Sequence, residues 1–338
     1  MSESPAANSD IPHDRLTVRA VLRTDVGKVR SENQDFGSLS LADGDEATGL
    51  MIVADGMGGH RGGATASRLA TETVKAQVLG NDAGNIPQIL RDALVRANSA
   101  IWSESQKNPD LRGMGTTTSA LVVRDSKGWF AHVGDSRIYL VRGGEIRQLT
   151  DDHSLVASMV REGLITPAEA ENHPRRNVLQ RSMGVSEEVE IDVRGPIELR
   201  ERDTFVICSD GLHGVVREEE IKQIATLPID DAADELVRRA LEKGAPDNVT
   251  VIVARMERPG GFDPDNTVVD KVDRALFEET IREKNGDRPE PAPVRATSRS
   301  ISIVKWTLIF VIVLGAAGAG IFWTQQQRFA ERTQSSSR

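Results

Sequence analysis

A single cysteine in 338 residues, Cys208, excludes an intramolecular disulfide, and its place in the apolar run Thr204-Phe205-Val206-Ile207-Cys208 predicts a buried thiol. Both features agree with a reducing compartment. Positive charge is in deficit: 42 Lys and Arg against 51 Asp and Glu give a formal net charge of -9, which argues against general nucleic-acid binding. The first 20 residues hold Pro5, Pro12 and several charges but no apolar core, so a cleaved signal peptide is not expected. Histidines are few and scattered. His13 lies in a polar tail and His132 in an expected strand, while His153, His173 and His213 are spaced too irregularly for a zinc site. The glycine-rich stretch Gly56 to Gly63 lacks both a Gly-Lys-Ser/Thr ending and the dinucleotide spacing, which excludes the usual phosphate-cradling loops.

What the chain does have is a set of four aspartates at the ends of apolar runs. Asp55 follows Leu50-Met51-Ile52-Val53-Ala54, Asp135 follows Trp129 to Gly134, Asp210 follows Thr204 to Ser209, and Asp247 precedes Val249-Thr250-Val251-Ile252-Val253-Ala254. Short β-branched runs bounded by Gly or Asp predict buried strands. Carboxylates at several strand ends can meet on one edge of a sheet, where hard oxygen ligands suit Mg²⁺ or Mn²⁺ rather than zinc. Asp and Gly also favour plain turns. The neighbours make these four distinctive: Asp55-Gly56-Met57-Gly58-Gly59, Gly134-Asp135-Ser136-Arg137, Ser209-Asp210-Gly211 and Asp247-Asn248.

With Arg30-Ser31-Glu32-Asn33-Gln34-Asp35 and Gly115-Thr116-Thr117, these segments make the chain resemble the type 2C metal-dependent serine/threonine protein phosphatases in their bacterial form, in the family's order and over roughly residues 15 to 256. The chemistry accounts for such residues. Hydrolysis of a phosphate monoester is slow because an anion must be attacked by a poor nucleophile, and a two-metal site both lowers the pKa of a bridging water and neutralises phosphoryl charge. Asp55 is the candidate bridging carboxylate, with Gly56 expected to bare its carbonyl to a metal. The resemblance implies that Asp210 and Asp247 complete one metal's shell, that Asp35 acts through water, and that Asp135 and Asp210 hold a third, weaker ion. It also assigns Arg30 to the substrate phosphate, which a planar guanidinium can clamp through two oxygens. Met57 is a departure, because many eukaryotic members carry a histidine there as the general acid. Water, or His60 at the end of the same loop, is left for that role.

The expected fold is α+β: a four-layer α-β-β-α sandwich of two mainly antiparallel sheets flanked by helices, plus a C-terminal transmembrane helix. Strands are predicted over about 16–24, 35–41, 49–54, 116–123, 129–133, 137–141, 189–195, 203–208 and 249–256, with a hairpin at Gly143-Gly144. Helices are predicted at about Ala64 to Val78 and Ile86 to Ser105, the latter from Ile89, Leu90, Ala93, Leu94 and Ala97. A polar insertion at about 152–184, with a helix start at Thr166-Pro167-Ala168-Glu169, resembles the family's flap. Its Arg175 and Arg176 are taken as solvated charges.

The chain is divided into a tail (1–14), a catalytic domain (15–256), a linker rich in Pro and charge (257–300), a span (301–324) and a short tail (325–338). Trp306 to Trp323 is an uncharged 18-residue run with a tryptophan at each end, long enough nearly to cross a hydrocarbon core. Flanking positive charge does not decide its orientation; a cytoplasmic catalytic domain is expected because phosphoprotein substrates are made there. Gly315 with Ala319, and Ala316 with Gly320, stand at helix-packing spacing, which leaves the oligomeric state open. The expected activity is removal of phosphate from Ser and Thr of proteins with two tight Mn²⁺ or Mg²⁺ ions and a third weaker one. The partners implied are membrane-bound Ser/Thr kinases and their targets. The alternatives are a catalytically silent phosphoprotein-binding module and a phosphatase dedicated to one regulatory protein, such as an anti-sigma-factor antagonist.

Overall fold

Successive side chains of a strand point to opposite faces, so a strand that is apolar at every position needs a core on each side. In β3 (Gly49–Met57), Met51 and Val53 enter one core while Leu50 and Ile52 enter another. The same division holds in β10 (Thr204–Cys208), where Phe205 and Ile207 face one way and Val206 and Cys208 the other. The computed structural model describes residues 16–41, 48–81 and 84–258, all within one compact unit of the chain.

Two antiparallel sheets supply the inner layers. One runs in the order β1 (Thr17–Asp25), β11 (Val249–Glu257), β10, β7 (Arg137–Arg142), β8 (Glu145–Gln148). The other runs β2 (Asp35–Leu41), β3, β5 (Thr118–Arg124), β6 (Lys127–Val133), β9 (Asp192–Glu198), with β4 (Gly115–Thr116) paired to the end of β3. Met51, Val53, Phe130, Ile138, Phe205 and Ile252 fill the space between the sheets. Each such side chain contributes about 1.5–3 kcal/mol by leaving water.

Helices cover the outer faces. α1 (Gly59–Leu79) and α2 (Ile86–Lys107) pack Ala66, Ala70, Leu94 and Ile101 against the second sheet. On the first sheet lie α5 (Asp210–His213), α6 (Glu218–Ile224) and α7 (Ile229–Glu242). Buried Ile229, Ala232, Ala233, Leu236, Val237 and Ala240 recur on one face of α7, with Asp230 and Asp231 at its N-terminal and Arg239 at its C-terminal end, the arrangement a helix dipole favours. The insertion between the sheets' strands contains α3 (Leu155–Arg161) and α4 (Pro167–Glu171).

The four-layer expectation is borne out, as are α2, the helix start at Thr166, where Thr166 and Glu169 form a capping box, and the hairpin whose Gly143 and Gly144 have φ of +59° and +85°. Four details differ. α1 begins five residues before the expected Ala64, because tertiary packing overrides the poor helix propensity of its glycines. β9 lies three residues later than predicted; it is an edge strand with exposed Arg194, Gly195 and Pro196, so no alternating apolar pattern marks it. α5, α6 and α7 were not anticipated, and β8 was foreseen only as the return arm of the Gly143-Gly144 hairpin. Asp55 lies inside β3 rather than after it, since the ladder continues through Gly56↔Thr116 and Met57↔Gly115. The expected span at 301–324, both tails and the linker after Arg258 lie outside the described residues. Among the described residues no helix is long and apolar enough to cross a membrane.

Candidate metal centre

Asp35 and Asp55 face each other directly across the β2–β3 ladder. Three further carboxylates come from connecting segments: Asp135 between β6 and β7, Asp210 at the first position of α5, and Asp247 just before β11. Asp55 is the hub, because its carboxyl is raised well above the ordinary range, first by burial and then by the charges of Asp35, Asp210, Asp135 and Asp247. Burial likewise raises Asp35, Asp135 and Asp210. Hydroxyl donation from Ser209 partly offsets it for Asp35, and a shared hydrogen bond with Asp55 does so for Asp210.

The backbone around these groups is held by small hydroxyl side chains. Asp55 donates its N–H to Thr117 Oγ1 at 2.9 Å, and its carbonyl accepts from the Thr117 N–H at 2.9 Å and from Thr116 Oγ1 at 2.8 Å. Ser209 Oγ donates to Asp35 Oδ2 at 2.7 Å and accepts from the Thr250 N–H at 3.0 Å. Asn248 ties the loop carrying Arg30 to the start of β11. Its Oδ1 accepts from the Gln34 N–H at 2.8 Å, and its Nδ2 donates to the carbonyls of Val26 and Glu32 at 2.9 Å each. Thr117, Ser209 and Asn248 all stand in the sequence segments that carried the resemblance, but their positioning roles were not read there.

The donor set fits hard divalent cations. It is all oxygen, and two buried carboxylate oxygens, Asp35 Oδ1 and Asp210 Oδ1, have no hydrogen-bond partner. A cation would satisfy both and offset the burial of charge that chiefly raises the set, together with the mutual repulsion that adds to it. Among the described residues no three His, Cys, Asp or Glu side chains close on a single point. Mg²⁺ and similar ions are held by one or two carboxylates and keep several waters, so carboxylates spread around Asp55 suit them better than a closed chelate would.

The structure adds detail at three of the expected residues. Gly56 is also required for packing, because a Cβ there would lie 2.1 Å from the Gly63 carbonyl oxygen of α1 and 2.5 Å from that of Gln34. Arg30, with 54% of its side chain exposed at the mouth, donates to Asp247 Oδ2 at 2.7 Å. Arg176 of the flap is exposed, as expected of a solvated charge, and its charge also lowers the Asp210 carboxyl. The side chain of His60, in the first turn of α1, lies outside the described residues.

Known proteins and solved structures resemble the chain over the same residues. Residues 28–252 match the family described as Protein phosphatase 2C. The serine/threonine phosphatase stp of Listeria monocytogenes is 37% identical over 246 residues, covering 71% of this chain and 96% of that protein. The crystal structure of the serine/threonine phosphatase PstP/Ppp of Mycobacterium tuberculosis superimposes with a TM-score of 0.65 at 38% identity, over 72% of this chain and all of that one. A PstP catalytic domain in complex with two manganese ions gives a TM-score of 0.63 at 36% identity, over 72% of this chain and 99% of that one. With a matching family over most of its folded length and the carboxylates that the chemistry needs gathered around Asp55, the chain belongs to the protein phosphatase 2C family, the metal-dependent serine/threonine phosphatases.

Proposed function

We propose that this chain works as a membrane-anchored phosphatase with its catalytic domain in the cytoplasm, reversing the action of Ser/Thr protein kinases on proteins at the same membrane. The observation that carries the catalytic part is the pairing of Asp35 with Asp55 across the β2–β3 ladder, with buried oxygens of Asp35 and Asp210 left without a hydrogen-bond partner. Asp35, Asp55, Asp210 and Asp247 would hold two ions, with Asp35 acting through water, and Asp135 with Asp210 a third. Bound divalent ions supply Lewis acidity, which lowers the pKa of a water nucleophile and neutralises phosphoryl charge. Arg30 orients the substrate: one nitrogen engages Asp247, and a guanidinium carries five N–H donors, so its exposed edge can grip two phosphoryl oxygens. A silent binding module would not need every one of these carboxylates.

Arg30→Ala should lower kcat/KM for p-nitrophenyl phosphate about 10- to 100-fold, the scale of a charge-assisted hydrogen bond, chiefly through KM. Calorimetric metal affinity at the tight sites should hold or rise, since a positive charge leaves the cluster. Collapse of metal binding instead would make Arg30 a structural residue. Asp135→Ala should reduce turnover while sparing the two tight ions, and unchanged turnover at every metal concentration would remove the third ion from the scheme.

The anchor rests on the uncharged run Trp306 to Trp323. Deleting residues 301–338 should give an enzyme whose rate on a small phosphoester is nearly unchanged, while dephosphorylation of membrane proteins in cells falls, because tethering raises effective concentration. Reporter fusions that work only outside the cytoplasm should be active after Arg338 and inactive before Asp14. Recovery of the intact chain in the soluble fraction would reject the anchor.

A further inference from the structure

Asp135 has no strand ladder to hold it. It lies in the turn between β6 and β7, yet its carboxyl must sit within reach of Asp210. Two buried histidines supply the missing restraint. His213 Nε2 meets the Asp135 carbonyl at 2.9 Å, and so donates to it. His153 grips the preceding residue, Gly134, at both ends: its N–H donates to the Gly134 carbonyl at 2.7 Å, and its Nδ1 accepts from the Gly134 N–H at 3.1 Å. The amide can only donate, so Nδ1 carries no proton and the ring proton of the neutral imidazole sits on Nε2, 3.5 Å from Asp192 Oδ2. Burial, which lowers the affinity of this imidazole for a second proton, keeps Nδ1 an acceptor.

The same residue ties down the flap. The His153 carbonyl accepts from the Gln180 N–H at 2.8 Å and from the Arg181 N–H at 3.4 Å, while Leu155 and Ser154 pair with Val178 and Leu179. The flap therefore starts and returns at His153, one hydrogen-bonded step from the residue before Asp135. Its exit is pinned again where Met183 and Thr116 exchange N–H to carbonyl bonds at 2.9 and 3.0 Å, and Thr116 Oγ1 donates to the carbonyl of Asp55. One flap root thus ends on the residue before Asp135 and the other on the main chain of Asp55. The imidazole of His132, 4.7 Å away between ring centroids, fills the other side of His153.

We propose that His153 is a positioning residue: through its two bonds to Gly134 and its bonds to the flap root, it fixes the Asp135 turn and makes the placement of that carboxylate depend on where the flap lies. This deepens the reading given above and rests on Asp135 working in turnover. The inference is distinct from packing, because packing and clamping rank two substitutions in opposite order. In His153→Asn the side-chain oxygen stands where Nδ1 stood and can still accept from Gly134, although much of the ring volume is lost. In His153→Gln more volume is kept, but the acceptor is one atom farther out.

The test is hydrogen exchange by mass spectrometry on the full chain without metal, followed by kinetics on p-nitrophenyl phosphate across a Mn²⁺ titration. The Gln variant should exchange the peptide bearing Gly134 and Asp135 roughly tenfold faster, the loss of one net hydrogen bond, with α1 and α7 unchanged. The Asn variant should stay near wild type. In turnover, the Gln variant should lose kcat and need more Mn²⁺ while KM for the ester is unchanged, and the Asn variant should recover most of the loss. A Gln variant equal to or better than Asn, in protection of Gly134, in kcat or in folding, overturns the clamp. The exchange measurement decides this even if Asp135→Ala proves fully active, an outcome that would instead remove Asp135 from the mechanism.

Discussion

Asp55→Asn and Asp210→Asn should each abolish turnover of phosphothreonine peptides in Mn²⁺ while making the metal-free protein more stable. The first effect follows from the hub position of Asp55 and from the buried, unpartnered Oδ1 of Asp210. Losing an outer partner of a metal already costs ~10- to 100-fold, so loss of a direct carboxylate should exceed ~10²-fold. The second effect follows from the burial of charge that the fold imposes, to which repulsion between the carboxylates adds. The carboxyls of Asp35, Asp135 and Asp210 are raised from 3.8 to about 7, 8 and 6, chiefly by burial. A raised carboxyl binds its proton more tightly in the folded chain than in the unfolded one, so the stability it lends is present below about pH 4 and is lost as pH rises to about 8. Without metal the melting temperature should therefore fall over that window; with Mn²⁺ the fall should shrink. Either Asn substitution should flatten the metal-free slope and weaken the metal-induced rise. Full turnover in either variant, or in excess chelator, would sink the metal mechanism, and an unaltered slope would show that these buried carboxylates are not strained as described.

The same repulsion explains why the site was legible in the sequence. Carboxylates buried together are costly, so Asp55, Asp135, Asp210 and Asp247 stand out against the apolar runs beside them. The strands were legible for a related reason: both sheet faces are covered, which makes Leu50 to Ala54 and Val249 to Ala254 continuous apolar runs. Exposed edges carry no such signal, which is why the extent of β8 and the true limits of β9 escaped. α7 was different, since its buried stripe from Ile229 to Ala240 does stand in the sequence at helical spacing and was passed over. The hydrogen bonds that aim the site were beyond sequence reasoning. Nothing local says that Ser209 will meet Asp35 or that His153 will meet Gly134, because those pairs form only when separate strands and loops are brought together.

Two glycines that follow ligand candidates should prove as sensitive as the ligands, for a reason opposite to the one that sequence suggests. An Asp-Gly pair looks like a turn, yet neither Gly56 nor Gly211 is held to a positive φ. What they lack is room. A Cβ on Gly211 would lie 1.9 Å from the Asn248 carbonyl oxygen and 2.8 Å from its carbon, and one on Gly56 would lie 2.1 Å from the Gly63 carbonyl oxygen. These are backbone atoms, so no side chain can swing aside. For Gly211→Ala the start of α5 must move away from the strand entry at Asn248, which carries Asp210 away from Asp247. The expected loss is ~3 kcal/mol or more, the upper range for overpacking, or a fall of roughly 6–12 °C in Tm for a domain of this size. Metal affinity and kcat should fall with it in Gly211→Ala. In Gly56→Ala the displaced partners are α1 and the Gln34 carbonyl beside Asp35, so the damage should fall on folding and on the Asp35–Asp55 pair. As a control, Gly144→Ala lies in open space at a positive φ and should cost only the ~1–2 kcal/mol of a left-handed residue, leaving metal affinity untouched. If Gly211→Ala binds Mn²⁺ and turns over like the parent, the close approach of α5 to Asn248 is not what sets the spacing of Asp210 and Asp247.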